Sequence, residues 1–234
     1  MARTRRRRAR DVLDTDPQPL DVEPIVEAAL ALLDQVGLEG LSMRHLAERL
    51  GIQAGTLYWY IRDKHELLGL LAEAICTEVR PPDPNASWRA RLEALMCEYR
   101  RVLLAHRDAA HVLAATLPAG PHRLRLVDMS LGAVLDAGFE GWEATRAGRL
   151  LVDYTTGFVQ EEYVTTARLS GPPAEAAPGT PDAVRLPTVA HVSADAYPSI
   201  AALAPYLADR DGDARFAFGL GVVLDGMEQW RSRQ

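Results

Sequence analysis

Long apolar runs are missing from this chain: no stretch reaches the roughly 18 residues that a membrane span needs. Cysteine is scarce. Two residues, Cys76 and Cys97, cannot staple a disulfide scaffold. The pair reads either as small hydrophobes on helices or as a redox-sensing couple in a reducing cytoplasm. No Ser-His-Asp order, phosphate loop or dinucleotide fingerprint is present, so no catalytic step is expected. Glu161 and Glu162 point two ways around a helix and make no ready general acid and base. His106, His111 and His122 are spaced too irregularly for a metal site, and His106 to His111 misses the helical steps of three and four. Neither metal nor cofactor is expected. The N-terminal arginines are not followed by the apolar stretch of a signal peptide, which predicts a cytoplasmic location.

What the chain does have is apolar content of 48% in 234 residues, enough for one large domain or for a small one joined to a larger. Its net charge of −6 is unevenly spread. Residues 1–65 carry ten Lys/Arg against ten Asp/Glu, while residues 66–234 carry sixteen against twenty-two. Arg3, Arg5, Arg6, Arg7, Arg8 and Arg10 form a basic tip before an acidic, proline-containing stretch to Leu20. Residues 1–20 read as a disordered arm and linker. Either the arm reaches phosphates or the minor groove, which salt would weaken, or it is a solvated tail.

Residues 21–66 hold the most informative pattern. Asp21 caps and Gly37 stops a first helix, with Ile25, Ala28, Ala29, Leu32 and Leu33 as its buried stripe. Ser42 caps a second, Gly51 makes a left-handed turn, and a compact third helix follows, crowded by Tyr58, Trp59 and Tyr60. This is the build of a helix-turn-helix, in which one helix braces on the DNA backbone and the next enters the major groove. Ala54, Gly55 and Thr56 are short enough to let the backbone approach. Thr56, Tyr58 and Tyr60 suit phosphates or a thymine methyl, and Lys64 suits the backbone. Arg44 suits a bidentate contact to guanine. Each aromatic has an alternative place in the core, Trp59 above all, because an indole often wedges between helices.

Asp63 and Glu66 have capping-box spacing and open a linker helix over about 63–80, broken at Pro81. Beyond Pro84 only helical patterns follow: about 87–106, 108–116, 121–137, 142–169, 198–208 and 211–231. A proline- and alanine-rich mobile loop is expected over about 170–190. The fold class is therefore all-α, with about ten helices. Residues 21–66 form a helix-turn-helix DNA-binding domain, and residues 67–234 a larger helical domain. Gly148, Gly157, Gly219, Gly221 and Gly226 fall inside helices, where each costs about 1 kcal/mol against alanine. Close helix packing explains them best.

Leu41-Ser-Met-Arg-His-Leu-Ala, Leu50-Gly-Ile, Thr56-Leu-Tyr-Trp-Tyr, then Lys64 and a leucine-rich helix, resemble the DNA-binding domain of the TetR family of repressors. Trp88, Tyr99-Arg-Arg, His106-Arg-Asp, Ala137-Gly-Phe, Gly157 and Phe218-Gly-Leu-Gly-Val-Val-Leu-Asp-Gly-Met resemble the C-terminal domain of its tetracycline-responsive subclass. The resemblance spans about residues 21–231. It implies a homodimer joined through the helices at 142–169 and 211–231, a double-stranded DNA operator, and a small-molecule chamber whose occupation spreads the two heads.

Carrying over that subclass's ligand groups gives a mixed set. Its magnesium-binding histidine falls at Leu113, a second pocket histidine at Asp153 and its asparagine at Leu95. Thr116 is kept, Tyr99 replaces a phenylalanine, and Glu161 matches an acidic residue. A magnesium–tetracycline chelate is therefore not the expected effector. An apolar or aromatic molecule is, with Leu95, Tyr99, Leu113, Met129 and Phe158 as walls and Thr116, Asp153 and Glu161 as polar anchors. Two other readings stay open: a helical small-molecule carrier that has lost its DNA role, and a DNA-binding regulator with no effector.

Overall fold

The computed structural model describes residues 21–170, 193–207 and 211–233, with 164–170 as backbone only. Every regular element among them is helical. The helices are α1 (Val22–Gly40), α2 (Met43–Leu50), α3 (Ala54–Leu57), α4 (Lys64–Thr77) and α5 (Trp88–Ala105). They continue with α6 (Ala109–Ala114), α7 (Pro121–Asp136), α8 (Gly141–Ser170), α9 (Pro198–Leu203) and α10 (Gly212–Arg231). The arm over 1–20 and the loop expected over about 170–190 lie outside the described residues, apart from Ser170 at the end of α8.

Local chemistry sets the boundaries. The Ser42, Asp63, Ser87 and Asp211 side chains each accept a backbone N–H in the first turn of α2, α4, α5 and α10. Asp21 caps α1 by position only, since its side chain takes no such bond. Gly51 ends α2 in the left-handed conformation at φ 68°, as its place in the sequence predicts. Gly37 likewise breaks the first helix as its place in the sequence predicts, turning the chain at φ 72°, although the element as a whole runs on to Gly40. A β-carbon there would come within 2.9 Å of Arg107 Nε and Asp108 Oδ2, so the position needs glycine for conformation and for space. The linker helix expected over about 63–80 is α4, Lys64–Thr77, capped by Asp63 and followed by a turn that ends at the buried Val79.

The buried residues make one continuous cluster from Ile25 to Met227. α2 packs on both α1 and α3, and α4 carries the core onward by packing on α1 at one side and α5, α6 and α7 at the other. α8 is the spine of the rest, in contact with α5, α6, α7 and α10. Among the described residues α9 has no buried side chain.

Candidate functional site

Two places combine exposed or cavity-facing polar groups with defined geometry. The first is the surface of α2 and α3. Leu46, Ala47, Leu57 and Ile61 are buried and fix the angle between the two helices. Their opposite faces are left to solvent. α3 itself is four residues long, and Tyr58, Trp59 and Tyr60 continue it as a turn through N–H bonds to Ala54, Thr56 and Leu57.

The structure brings Arg44, Gly55, Thr56, Tyr58 and Trp59 to this surface as exposed residues. Trp59 is 88% exposed, so the indole does not wedge between helices. Ala54 and Tyr60 are half-buried against the core. Arg44 is held only by Glu48 at 3.0 Å, in an exposed pair of the kind worth under about 1 kcal/mol, which a stronger partner displaces. Lys64 turns inward and donates to the Leu38 carbonyl at 3.0 Å. Its ammonium keeps two further hydrogens for a phosphate.

The second place is a chamber of about 450 Å³ between α5, α6, α7 and α8. Tyr99, Leu113, Thr116 and Asp153, four residues expected in a ligand site, line it. The other four do not. Leu95 and Met129 pack in the core instead. Phe158 faces away, with its ring 5.3 Å from Phe216 and 5.9 Å from Tyr154, and Arg100 and Arg215 over its face. Glu161 pairs with Arg215 at 2.9 Å outside the chamber.

The reason lies in helix phase. Val152 and Thr156 of α8 line the chamber. Tyr154 and Phe158, two residues on, are turned by roughly 200° and meet α10.

Among the chamber residues that sequence reasoning missed, two buried polar ones stand out. Arg123 is only 7% exposed, and its guanidinium donates to Thr116 Oγ1 at 2.6 Å and to the carbonyls of Leu113, Thr116 and Leu117 at 3.1 Å. Ser130 is 2% exposed, and its hydroxyl has no partner. The signal was there: Arg123, Leu126, Ser130 and Ala133 recur at helical spacing on the inward face of α7. An arginine in such a stripe reads as a surface residue unless its place is known.

At the rim Arg149 and Asp153 pair at 2.7 Å. Burial pushes the Tyr99 hydroxyl up to about 12, so it meets a ligand as a neutral phenol. Among the described residues no group of three His, Cys, Asp or Glu side chains could hold a metal ion. Leu113 puts carbon where a ligating nitrogen would be needed.

Comparison with known proteins bears on the fold and the family. Residues 25–71 match the family described as bacterial regulatory proteins, tetR family, and residues 81–231 match the tetracyclin repressor-like C-terminal domain. The chain is 36% identical over 216 residues to the class C tetracycline repressor of Escherichia coli, covering 91% of this chain and 92% of that one. It superposes with a TM-score of 0.75 on a possible TetR family regulator from Streptomyces coelicolor A3(2), at 35% identity over 92% of this chain and all of that one. The TetR family protein ActR of Streptomyces coelicolor, in complex with (S)-DNPA, superposes at 0.74 with 29% identity, covering 89% and 97% of the two chains.

Proposed function

The chain belongs to the TetR family of bacterial regulatory proteins, and we propose that it is a ligand-responsive repressor that binds a palindromic operator as a homodimer and releases it when a small molecule fills the chamber. The observation that carries this reading is the joint presence of an uncovered DNA-reading surface and an unfilled interior chamber, linked by one helix. α4 begins beside the reading surface at Lys64 and packs on α6 and α7, which wall the chamber. A ligand that displaces those walls therefore acts on the helix that carries the head.

On DNA, the exposed Thr56, Tyr58 and Trp59 enter the major groove, with Ala54 and Gly55 allowing close approach. Arg44 reads a guanine edge, and Tyr60 and Lys64 contact the backbone. Two such heads, related by a twofold axis, would read half-sites about 34–36 Å apart.

The dimer is supported by an uncovered apolar face on α8 and α10. Trp142, Leu150, Phe218, Val222 and Trp230 are each more than half exposed there. A groove of about 430 Å³ runs between the helices past Leu150, Val222, Gly226 and Trp230. Exposed apolar side chains grouped on two neighbouring helices suit an interaction site. The helical glycines divide accordingly. Gly148 sits under Leu131 and Gly219 under Tyr154, while Gly157, Gly221 and Gly226 have open space above them in the single chain.

The chamber volume suits a multi-ring organic molecule. Tetracycline repressors are among the relatives, yet Leu113 supplies no metal ligand, so the effector we propose is an aromatic or apolar compound bound without a metal chelate. An open chamber disfavours an effector-independent regulator, and the exposed reading surface disfavours a carrier without a DNA role. The test is an electrophoretic shift of DNA flanking the protein's own gene, with a screen of hydrophobic antibiotics and metabolites for release. Lack of selective binding to that DNA, or binding that no chamber ligand alters, overturns the reading.

A further inference from the structure

Arg123 is the one chamber cation, among the described residues, whose charge no carboxylate meets. Arg149, the other arginine on the chamber surface, is paired with Asp153 at the rim. The four hydrogen bonds of the Arg123 guanidinium go to neutral oxygens, the Thr116 hydroxyl and the carbonyls of Leu113, Thr116 and Leu117. Glu73 turns both its oxygens to the backbone N–H groups of His122 and Arg123, at 2.5 and 3.1 Å, and so caps α7 instead. Carbonyls at the end of a short helix offer a partial negative charge at most. A buried guanidinium held that way still favours a full counter-charge.

A second observation points into the same space. Ser130 lies two turns beyond Arg123 on the inner face of α7, about 10 Å along the axis. Its buried hydroxyl, on the chamber surface, has no partner. Buried hydroxyls without partners are rare in folded proteins, and one facing a cavity is a vacant position for a ligand atom. Val127, Leu131 and Val152 line the same chamber and offer an apolar bed.

We propose that the chamber selects an organic acid: a fused-ring apolar body whose carboxylate or phenolate oxygen is bound by Arg123 and whose distal oxygen bonds Ser130. This rests on the reading of the chamber as an effector site and narrows its ligand from aromatic to anionic. The neutral Tyr99 hydroxyl adds a donor to the chamber, while the Thr116 hydroxyl spends its hydrogen on the Val112 carbonyl and serves to hold Arg123. Leu113 excludes a metal from the anionic end. The ligand meets Arg123 through its remaining N–H or by displacing one of the carbonyls, in either case forming a charge-assisted bond.

Matched probe pairs test this on the full-length protein without DNA. Naphthalene-2-, anthracene-2- and anthraquinone-2-carboxylic acid are each compared with the corresponding carboxamide by isothermal titration at near-neutral pH. At least one acid should bind about tenfold or more tightly than its amide. Arg123→Gln should remove that preference while leaving amide affinity within about twofold, and Arg123→Lys should retain part of it. Ser130→Ala should weaken the anthraquinone pair, which carries ring carbonyls, and leave the anthracene pair unchanged. The proposal is overturned if no acid outbinds its amide, including the case in which nothing binds, or if the preference survives Arg123→Gln. Should that variant fail to fold, the wild-type pairs and the lysine variant decide. An amide that binds while the acids do not, and that releases DNA in the electrophoretic shift, would sink the anionic ligand and leave the repressor reading standing.

Discussion

The Asp108 carboxylate accepts the backbone N–H of Leu38 at 2.8 Å, tying the start of α6 to the end of α1 across 70 residues of sequence. Arg107 strengthens the joint, with its backbone N–H on Asp34 Oδ1 and its guanidinium on the Gln35 carbonyl, both at 3.0 Å. Gly37 leaves room for this approach. The element that walls the chamber thus grips the head directly as well as through α4. Asp108 also sits at φ 57°, where asparagine and aspartate are tolerated and alanine is strained.

Asp108→Ala should therefore cost about 1–3 kcal/mol of stability, from the lost acceptor and the strained backbone. Asp108→Asn keeps an acceptor and the conformational tolerance and should lose less. Denaturant unfolding gives the stability, and hydrogen exchange at the Leu38 amide reports the joint. Equal stability of the alanine variant and the wild type would mean that this bond does not hold the head.

Trp59→Ala and Tyr58→Ala separate reading from folding. Trp59 is 88% and Tyr58 51% exposed, so each change should shift stability by no more than about 0.5 kcal/mol. Specific operator affinity should fall by tenfold or more in both, the scale of one lost good contact. Fluorescence anisotropy at two salt concentrations measures it. A tryptophan that folds and binds equally well as alanine would remove Trp59 from the interface.

Much of this was legible in the sequence, and the reasons are physical. Caps, glycine stops and apolar stripes act locally, so Ser42, Asp63, Ser87 and Gly51 mark real boundaries. Trp59 was undecided because exposure of an indole depends on what packs opposite, which one strand of sequence does not show. Phe158 was misplaced for a related cause. α8 is apolar on two sides, and a side chain two positions from a chamber residue faces α10. Arg123 and Ser130 went unread because burial of a polar group is a tertiary outcome: Arg123 is held by carbonyls ten and seven residues away, and Ser130 is covered by the packing of α7 without any hydrogen-bond partner.

Alkaline pH should expose the cost of two buried neutral groups. Burial raises the Cys76 thiol from 9.0 to about 12 and the Tyr99 hydroxyl from 10.0 to about 12. In each case the folded value lies above the unfolded one, so the unfolded chain loses its proton first. The stabilisation is complete below about pH 9 and declines as pH rises toward 12, with a slope of at most about 1.4 kcal/mol per pH unit for each group. Denaturant midpoints between pH 8 and 11 should show the decline, and Cys76→Ala should flatten its onset. Thiol labelling of the native protein should reach the exposed Cys97 well before Cys76. Simultaneous labelling would show that α4 opens readily.

The uncovered face of α8 and α10 gives the sharpest test of assembly. Leu150 is 51% and Val222 55% exposed, and both border the groove beside Trp230. Neither side chain supports the core of its own chain, so Leu150→Glu and Val222→Glu should leave the single chain able to fold. In a dimer that closes this groove, each glutamate would face an apolar partner surface without a counter-ion, at a cost of several kcal/mol. Sedimentation velocity should then show monomers, and operator binding should fall with the loss of the second head, because two linked half-site contacts exceed one by orders of magnitude. Leu124→Glu, equally exposed at 51% but on α7, serves as the control and should remain dimeric. If the two groove variants also remain dimeric, the subunits meet elsewhere and the apolar face of α8 and α10 has another occupant.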